Sequence, residues 1–132
     1  MEKEFDSEKI SQHWFLQSEN DALTMDLLFE NKNFHWSLFI GHIVVEKLLK
    51  SVYVKVNKSH APFTHDLSKI ASKTNLEFSE EYLDWLDTIT TFNLNTRYDD
   101  YKQEFYKKCT FDYSKNWLEK IQILREWIKT KL

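Results

Sequence analysis

Lys47 and Lys50 stand one helical turn apart, and two ammonium groups at that spacing can be presented together to a phosphate. His65, followed by Asp66, comes shortly after Pro62. An imidazole there can move protons, or bind phosphate near the exposed N–H groups that open a helix. Arg97 and Tyr98 set a planar guanidinium beside an aromatic ring. The first can grip phosphate with two parallel hydrogen bonds, and the second can stack a base. These five residues are the predicted ligand-binding set.

Each has a plainer alternative. Glu46 precedes Lys50 by four residues, the orientation of an intrahelical ion pair worth about 0.3 kcal/mol, and Lys47 and Lys50 then belong to a solvated helix face. Arg97 has Asp99, Asp100 and Glu104 close in sequence as ion-pair partners. His65 can simply hold its loop to a neighbouring helix. No catalytic partner stands at a known spacing from it, so the sequence assigns no catalytic residue; His65 and Arg97 are the weak candidates.

Other chemistries find less. His35, His42 and Glu46 share one helix face, but no His-Glu-x-x-His and no matching Glu-x-x-His on a second helix accompanies them, so no metal site is expected. His42 reads as a core or interface histidine. Cys109 is the single cysteine. Lys107 and Lys108 beside it could lower its pKa, but no histidine neighbours it to make a nucleophilic pair. With no Gly-x-Ser-x-Gly elbow and no glycine-rich phosphate loop, no cofactor is expected.

The elements that must position these residues are helices. The chain has 132 residues, 42% of them hydrophobic and 16% aromatic, enough to bury a core in one domain spanning 1–132. One glycine and one proline are too few for a turn-rich β architecture. A net charge of −3 argues against tight duplex binding, although residues 102–132 carry 8 Lys and Arg against 4 Asp and Glu. That basic end reads as a solvated helix face, with contact to phosphate or an acidic partner as the alternative. A lone cysteine, no leader-like start and a longest uncharged run of 13 residues (Asn33 to Val45) predict a soluble, cytoplasmic protein with no membrane association.

The periodicity predicts a helix from about Ser7, taken as its cap, to Glu30. A second runs from about Phe34 to Asn57, apolar on nearly all sides until Glu46 and so central to a bundle or dimer core. Its Lys47, Lys50 and Lys55 are expected to point outward. Gly41 within it, costing about 1 kcal/mol against alanine, implies close approach by another helix. Thr64 is the expected cap of a short third helix with Leu67, Ile70 and Ala71. Ser79 to Phe92 forms a fourth, Asn93 to Asp100 its end and a loop, and Ser114 caps the last. The sum is an all-α, up-down four-helix bundle with one additional short helix. The aromatic surplus predicts a homodimer.

The order Glu46-Lys47-Leu48-Leu49-Lys50-Ser51, then Pro62-Phe63-Thr64-His65-Asp66-Leu67, then Phe92-Asn93-Leu94-Asn95-Thr96-Arg97-Tyr98-Asp99-Asp100-Tyr101, resembles the HEPN family. The likeness continues through Phe105 to Thr110 and the Trp-containing last helix. It implies a helical bundle, usually a homodimer, that acts in nucleotide or RNA transactions as the partner of a minimal nucleotidyltransferase, in a toxin–antitoxin-like pair. One branch of that family is ribonucleolytic and carries Arg followed after four to six residues by His. Here Lys102, Gln103 and Glu104 stand at those positions after Arg97, and Thr130, Lys131 and Leu132 after Arg125. Asp99 also replaces the proline usual after Arg-Tyr. The resulting expectation is a regulatory nucleotide- or RNA-binding partner with a groove between the second, third and fourth helices. A degenerate, metal-independent ribonuclease using Arg97 and His65, or a purely structural dimer, are the alternatives.

Overall fold

The computed structural model describes residues 5–97 and 99–132, with side chains at all of these except 97 and 99–101. Helix makes up 78% of it and no strand occurs among the described residues, so the all-α expectation holds. The helices are α1 (Ser7–Glu30), α2 (Phe34–Asn57), α3 (Leu67–Ala71), α4 (Glu80–Arg97), α5 (Asp99–Lys108) and α6 (Phe111–Lys129).

Three helix starts differ from the sequence expectation. The N-cap of α1 is Asp6, whose Oδ1 accepts from Lys9 N at 3.1 Å; Ser7 is already helical. For α3 it is Asp66, accepting from Lys69 N at 3.3 Å, while Thr64 Oγ1 instead accepts from Asp66 N. Thr110 caps α6 through Tyr113 N, and Ser114 lies fully buried in its first turn. Asp6 and Asp66 are as good capping types as the expected Ser7 and Thr64, and which one caps depends on where the chain leaves its loop.

The larger correction concerns residues 93–108. Asn93 to Arg97 continue α4, and Asp99 to Lys108 form a helix of their own rather than a loop. No glycine or proline interrupts that stretch, and the buried Phe105 anchors α5 by stacking on Phe92 of α4 at 5.5 Å between ring centroids. A single aromatic anchor is too sparse to show as periodicity.

The rod α2 is central as expected, with Leu38, Val44, Val45, Leu48 and Leu49 fully buried against Leu86, Ile89 and Phe92 of α4 and Ile121, Leu124 and Ile128 of α6. Gly41 explains how close the rods come. A Cβ there would stand 2.6 Å from Ile121 Cδ1 and 3.3 Å from Met25 Sδ, so α6 and α1 both press on this point.

Between α1 and α2 the contact is stitched by serines. Ser11 and Ser51 each donate to the other's carbonyl at 2.8 Å, Ser18 donates to Val44 O at 2.7 Å, and Ser37 donates to Met25 O at 2.9 Å. Small side chains let the backbones approach, and each hydroxyl finds a carbonyl on the facing helix, so these buried polar groups carry little desolvation penalty.

Candidate functional site

A polar stripe runs down the otherwise apolar α2. His42, Glu46 and Lys50 recur every four residues on one face, all nearly buried. Glu46 is the centre. Its side chain is 9% exposed, Lys50 Nζ donates to Oε2 at 3.1 Å, and His65 Nδ1 donates to Oε1 at 2.7 Å. Because a carboxylate oxygen only accepts, Nδ1 of His65 carries the proton. Its Nε2 is thereby the open nitrogen of a ring that is 59% exposed.

His42 completes the grip on the same loop residue. Its Nε2 donates to the His65 carbonyl at 3.0 Å and lies 3.7 Å from Glu46 Oε1. The opposite nitrogen, Nδ1, is buried without a hydrogen-bond partner among the described residues. Burial pushes the His42 pKa down from the ordinary value of 6.5, overriding the His65 carbonyl and Glu46, which favour the charged form. A neutral His42 thus fixes the His65 backbone while Glu46 fixes its ring. The core-histidine reading of His42 holds for one nitrogen only.

Loop and α3 are fastened on their other side to α4. Leu67 N donates to Thr90 Oγ1 at 3.1 Å, and Ser68 Oγ donates to Asp87 Oδ1 at 2.6 Å. Leu67 and Ile70 are fully buried beneath. His65 is therefore held from both flanks.

The predicted set divides. Lys50 and His65 meet on Glu46, but Lys50 is buried rather than outward, its Nζ also 5.4 Å from the centroid of the Trp14 ring. It neutralises Glu46 instead of facing a ligand. Lys47 pairs with Asp21 of α1 at 2.7 Å, with both side chains partly exposed. Arg97 is described in its backbone only, as the last residue of α4, about 10 Å along the helix from Thr90 at 1.5 Å per residue. Tyr98 lies outside the described residues. Glu46, which sequence treated as an intrahelical partner of Lys50 and a face-mate of His35 and His42, is the residue that joins the others. The signal for it was a charged side chain repeating in step with His42 and Lys50 inside an apolar helix.

The remaining candidates resolve simply. Among the described residues no group of three His, Cys, Asp or Glu is placed to hold a metal ion. Cys109 is buried, and burial outweighs Lys108 and Ser114 to push its thiol up to about 12. The lysines beside it in sequence therefore do not activate it, contrary to the possibility their proximity raised. Among the described residues, no helix is long and apolar enough to cross a membrane.

The HEPN domain family model matches residues 11–131. The fold is also that of the crystal structure of TT1696 from Thermus thermophilus, at a TM-score of 0.79 and 14% identity, over 92% of this chain and 98% of that one. No curated protein matches the chain.

Proposed function

The chain belongs to the HEPN family, and from that premise we propose that it is a regulatory module that binds nucleotide or RNA and partners a minimal nucleotidyltransferase. One observation carries the reading. The ring of His65, 59% exposed, is clamped through Nδ1 to Glu46 while its backbone is clamped to His42, and Nε2 has no partner among the described residues. The two anchors also tie the loop to α2, the plainer role for His65, and they leave its ring exposed in a fixed orientation. Orienting the ring beforehand lowers the entropy cost of a contact in which the imidazolium Nε2–H donates to phosphate.

The charge of the cluster suits reversible contact with an anion. Glu46 and Lys50 cancel, so the net charge is zero with His65 neutral and one positive with it protonated. Arg97 and Tyr98, at the far end of α4 and just beyond, complete the ligand-binding set in this proposal, with Lys47 and Lys50 stabilising the scaffold. The module acts as a homodimer in a toxin–antitoxin-like pair, and needs no metal or cofactor.

The test is co-expression with the nucleotidyltransferase encoded nearest to it, followed by size-exclusion chromatography and titration with AMP and RNA. A stoichiometric complex and ligand binding lost in His65→Ala and Arg97→Ala support the reading. Two separate peaks and no ligand affinity refute it, leaving a structural dimer. Sedimentation reads the oligomer independently, and a monomer at high protein concentration removes the dimer from the proposal.

The same clamp favours a second reading, in which the carboxylate-oriented imidazole accepts a proton during RNA cleavage, as general bases do when a second group fixes their tautomer. Cleavage by purified protein in the presence of a chelator, abolished by both His65→Ala and Glu46→Gln, identifies that enzyme. Intact RNA after prolonged incubation excludes it.

A further inference from the structure

Away from Glu46, the first turn of α2 and one face of α5 enclose a groove of about 550 Å³ lined by His35, Lys102, Gln103, Tyr106 and Lys107. No carboxylate stands among these described residues. A hollow between α1 and α2 takes in Glu8, and one beside α4 and α5 takes in Glu104. The volume lies within the range of small-ligand sites, about 300–1,000 Å³.

Two rings line it, and a third stands beside them. Tyr106, 64% exposed, meets His35 edge to face at 5.1 Å between centroids, and His35 is 5.4 Å from Trp36, itself 40% exposed. Lys102 Nζ sits 5.7 Å from the centroid of the Trp36 ring, and Lys107 lines the same groove. Burial first and the Lys102 charge second hold the His35 pKa below its ordinary value, so the ring stacks without adding charge. Two large aromatic side chains left open to water beside two ammonium groups are unlike the core aromatics of this fold, which are covered. They are the components of a base-stacking platform with a phosphate seat. Both lysines belong to the basic C-terminal quarter of the chain, which the Glu46 cluster does not use.

We propose that this groove holds a nucleoside phosphate unit, the base stacked on Tyr106 and the phosphate on Lys102 and Lys107, as a free mononucleotide or within single-stranded RNA. The proposal rests on the nucleotide-binding reading above and adds the seat of the base. The His65 cluster then meets a second part of the same ligand, or a neighbouring nucleotide.

Fluorescence anisotropy of a labelled oligoribonucleotide of about ten nucleotides tests it, with calorimetric titration of AMP and of ribose 5-phosphate alongside. The proteins are wild type, Tyr106→Ala, Tyr106→Phe, Lys102→Gln, Lys107→Gln and His65→Ala. The altered side chains are all exposed, and thermal unfolding verifies each fold. Tyr106→Ala is expected to weaken binding about tenfold, while Tyr106→Phe, which keeps the ring, stays within about twofold. Each lysine change lowers the slope of log affinity against log salt by about 0.7 for a single strand. AMP binding tightly, and ribose 5-phosphate weakly, identifies a mononucleotide seat; RNA binding without AMP binding identifies a strand. Either result supports the groove. If His65→Ala alone loses affinity while all groove variants bind as wild type, the groove is overturned and the nucleotide-binding reading stands. If wild type binds neither probe, both fall. If Tyr106→Ala splits a dimer and leaves affinity unchanged, the groove is a contact between copies and the proposal is overturned.

Discussion

The two long sides of α2 handle buried polarity in opposite ways. Toward α1, four serine hydroxyls each find a carbonyl, and the Lys47–Asp21 ion pair on that side is partly exposed. Toward the loop before α3, a carboxylate, an ammonium and two imidazoles are concentrated within two turns, one nitrogen of His42 is left without a partner among the described residues, and the His65 ring is open to water. The serine side gains close packing at little electrostatic cost. The Glu46 side takes on desolvation that a leucine at the same position would avoid. Stability alone would not select such a cluster, and that contrast is the ground for the proposed ligand contact at His65.

The difference is best broken at its centre. Glu46→Ala strands the buried Lys50 ammonium and releases His65, and an expected loss of about 3 kcal/mol in urea unfolding follows from an uncompensated buried charge. An effect under about 1 kcal/mol would mean that the pair is solvated and the comparison overstated. On the other side, Ser18→Ala removes a single hydrogen bond and leaves Val44 O its own helical partner, so it should cost about 1 kcal/mol. Gly41→Ala tests the packing between the two sides. Overpacking against Ile121 and Met25 costs about 1–3 kcal/mol, from which about 1 kcal/mol of helix propensity is recovered, for a net loss near 1 kcal/mol.

Acid should act on the Glu46 side through His42. The folded-state pKa of His42 is depressed below 6.5 by burial, so the unfolded chain takes up a proton first as pH falls. Its contribution is fully present above about pH 6.5 and is lost below it. Thermal melts between about pH 7.5 and 5.5 should show a falling midpoint that is shallower in His42→Gln. An unchanged slope in that variant would assign the acid sensitivity elsewhere, His35 being the next depressed imidazole. The smallest effect belongs to His65→Ala, whose exposed ring should cost no more than about 0.5 kcal/mol in stability while removing the proposed ligand contact.

Much of this was legible in the sequence. The apolar run of α2, its bounds and the close approach at Gly41 follow from composition and helical spacing alone. Spacing also set Glu46 in register with Lys50, yet it could not tell a solvated pair from a buried one, because that depends on Trp14 arriving from α1. His65 was visible as a candidate, but its anchors were not. His42 and Glu46 reach it across 23 and 19 residues of chain, through a loop whose path no local pattern encodes. Helix α5 was missed because Phe105 is the one buried side chain among its described residues, too few to show as periodicity. The groove beside it was missed with it, since His35 and Tyr106 are brought together only by tertiary packing.

Histidine tautomers can be read directly from long-range ¹H–¹⁵N correlation spectra, and that measurement bears most closely on the claim that Glu46 presents the open nitrogen of His65 to a ligand. The account predicts neutral His65 protonated at Nδ1 in wild type, mixed tautomers in Glu46→Ala, and a shift of the Nε2 resonance when AMP or RNA is added. Finding the proton on Nε2 in the folded wild-type protein, or an Nε2 signal unmoved by saturating ligand, would contradict it.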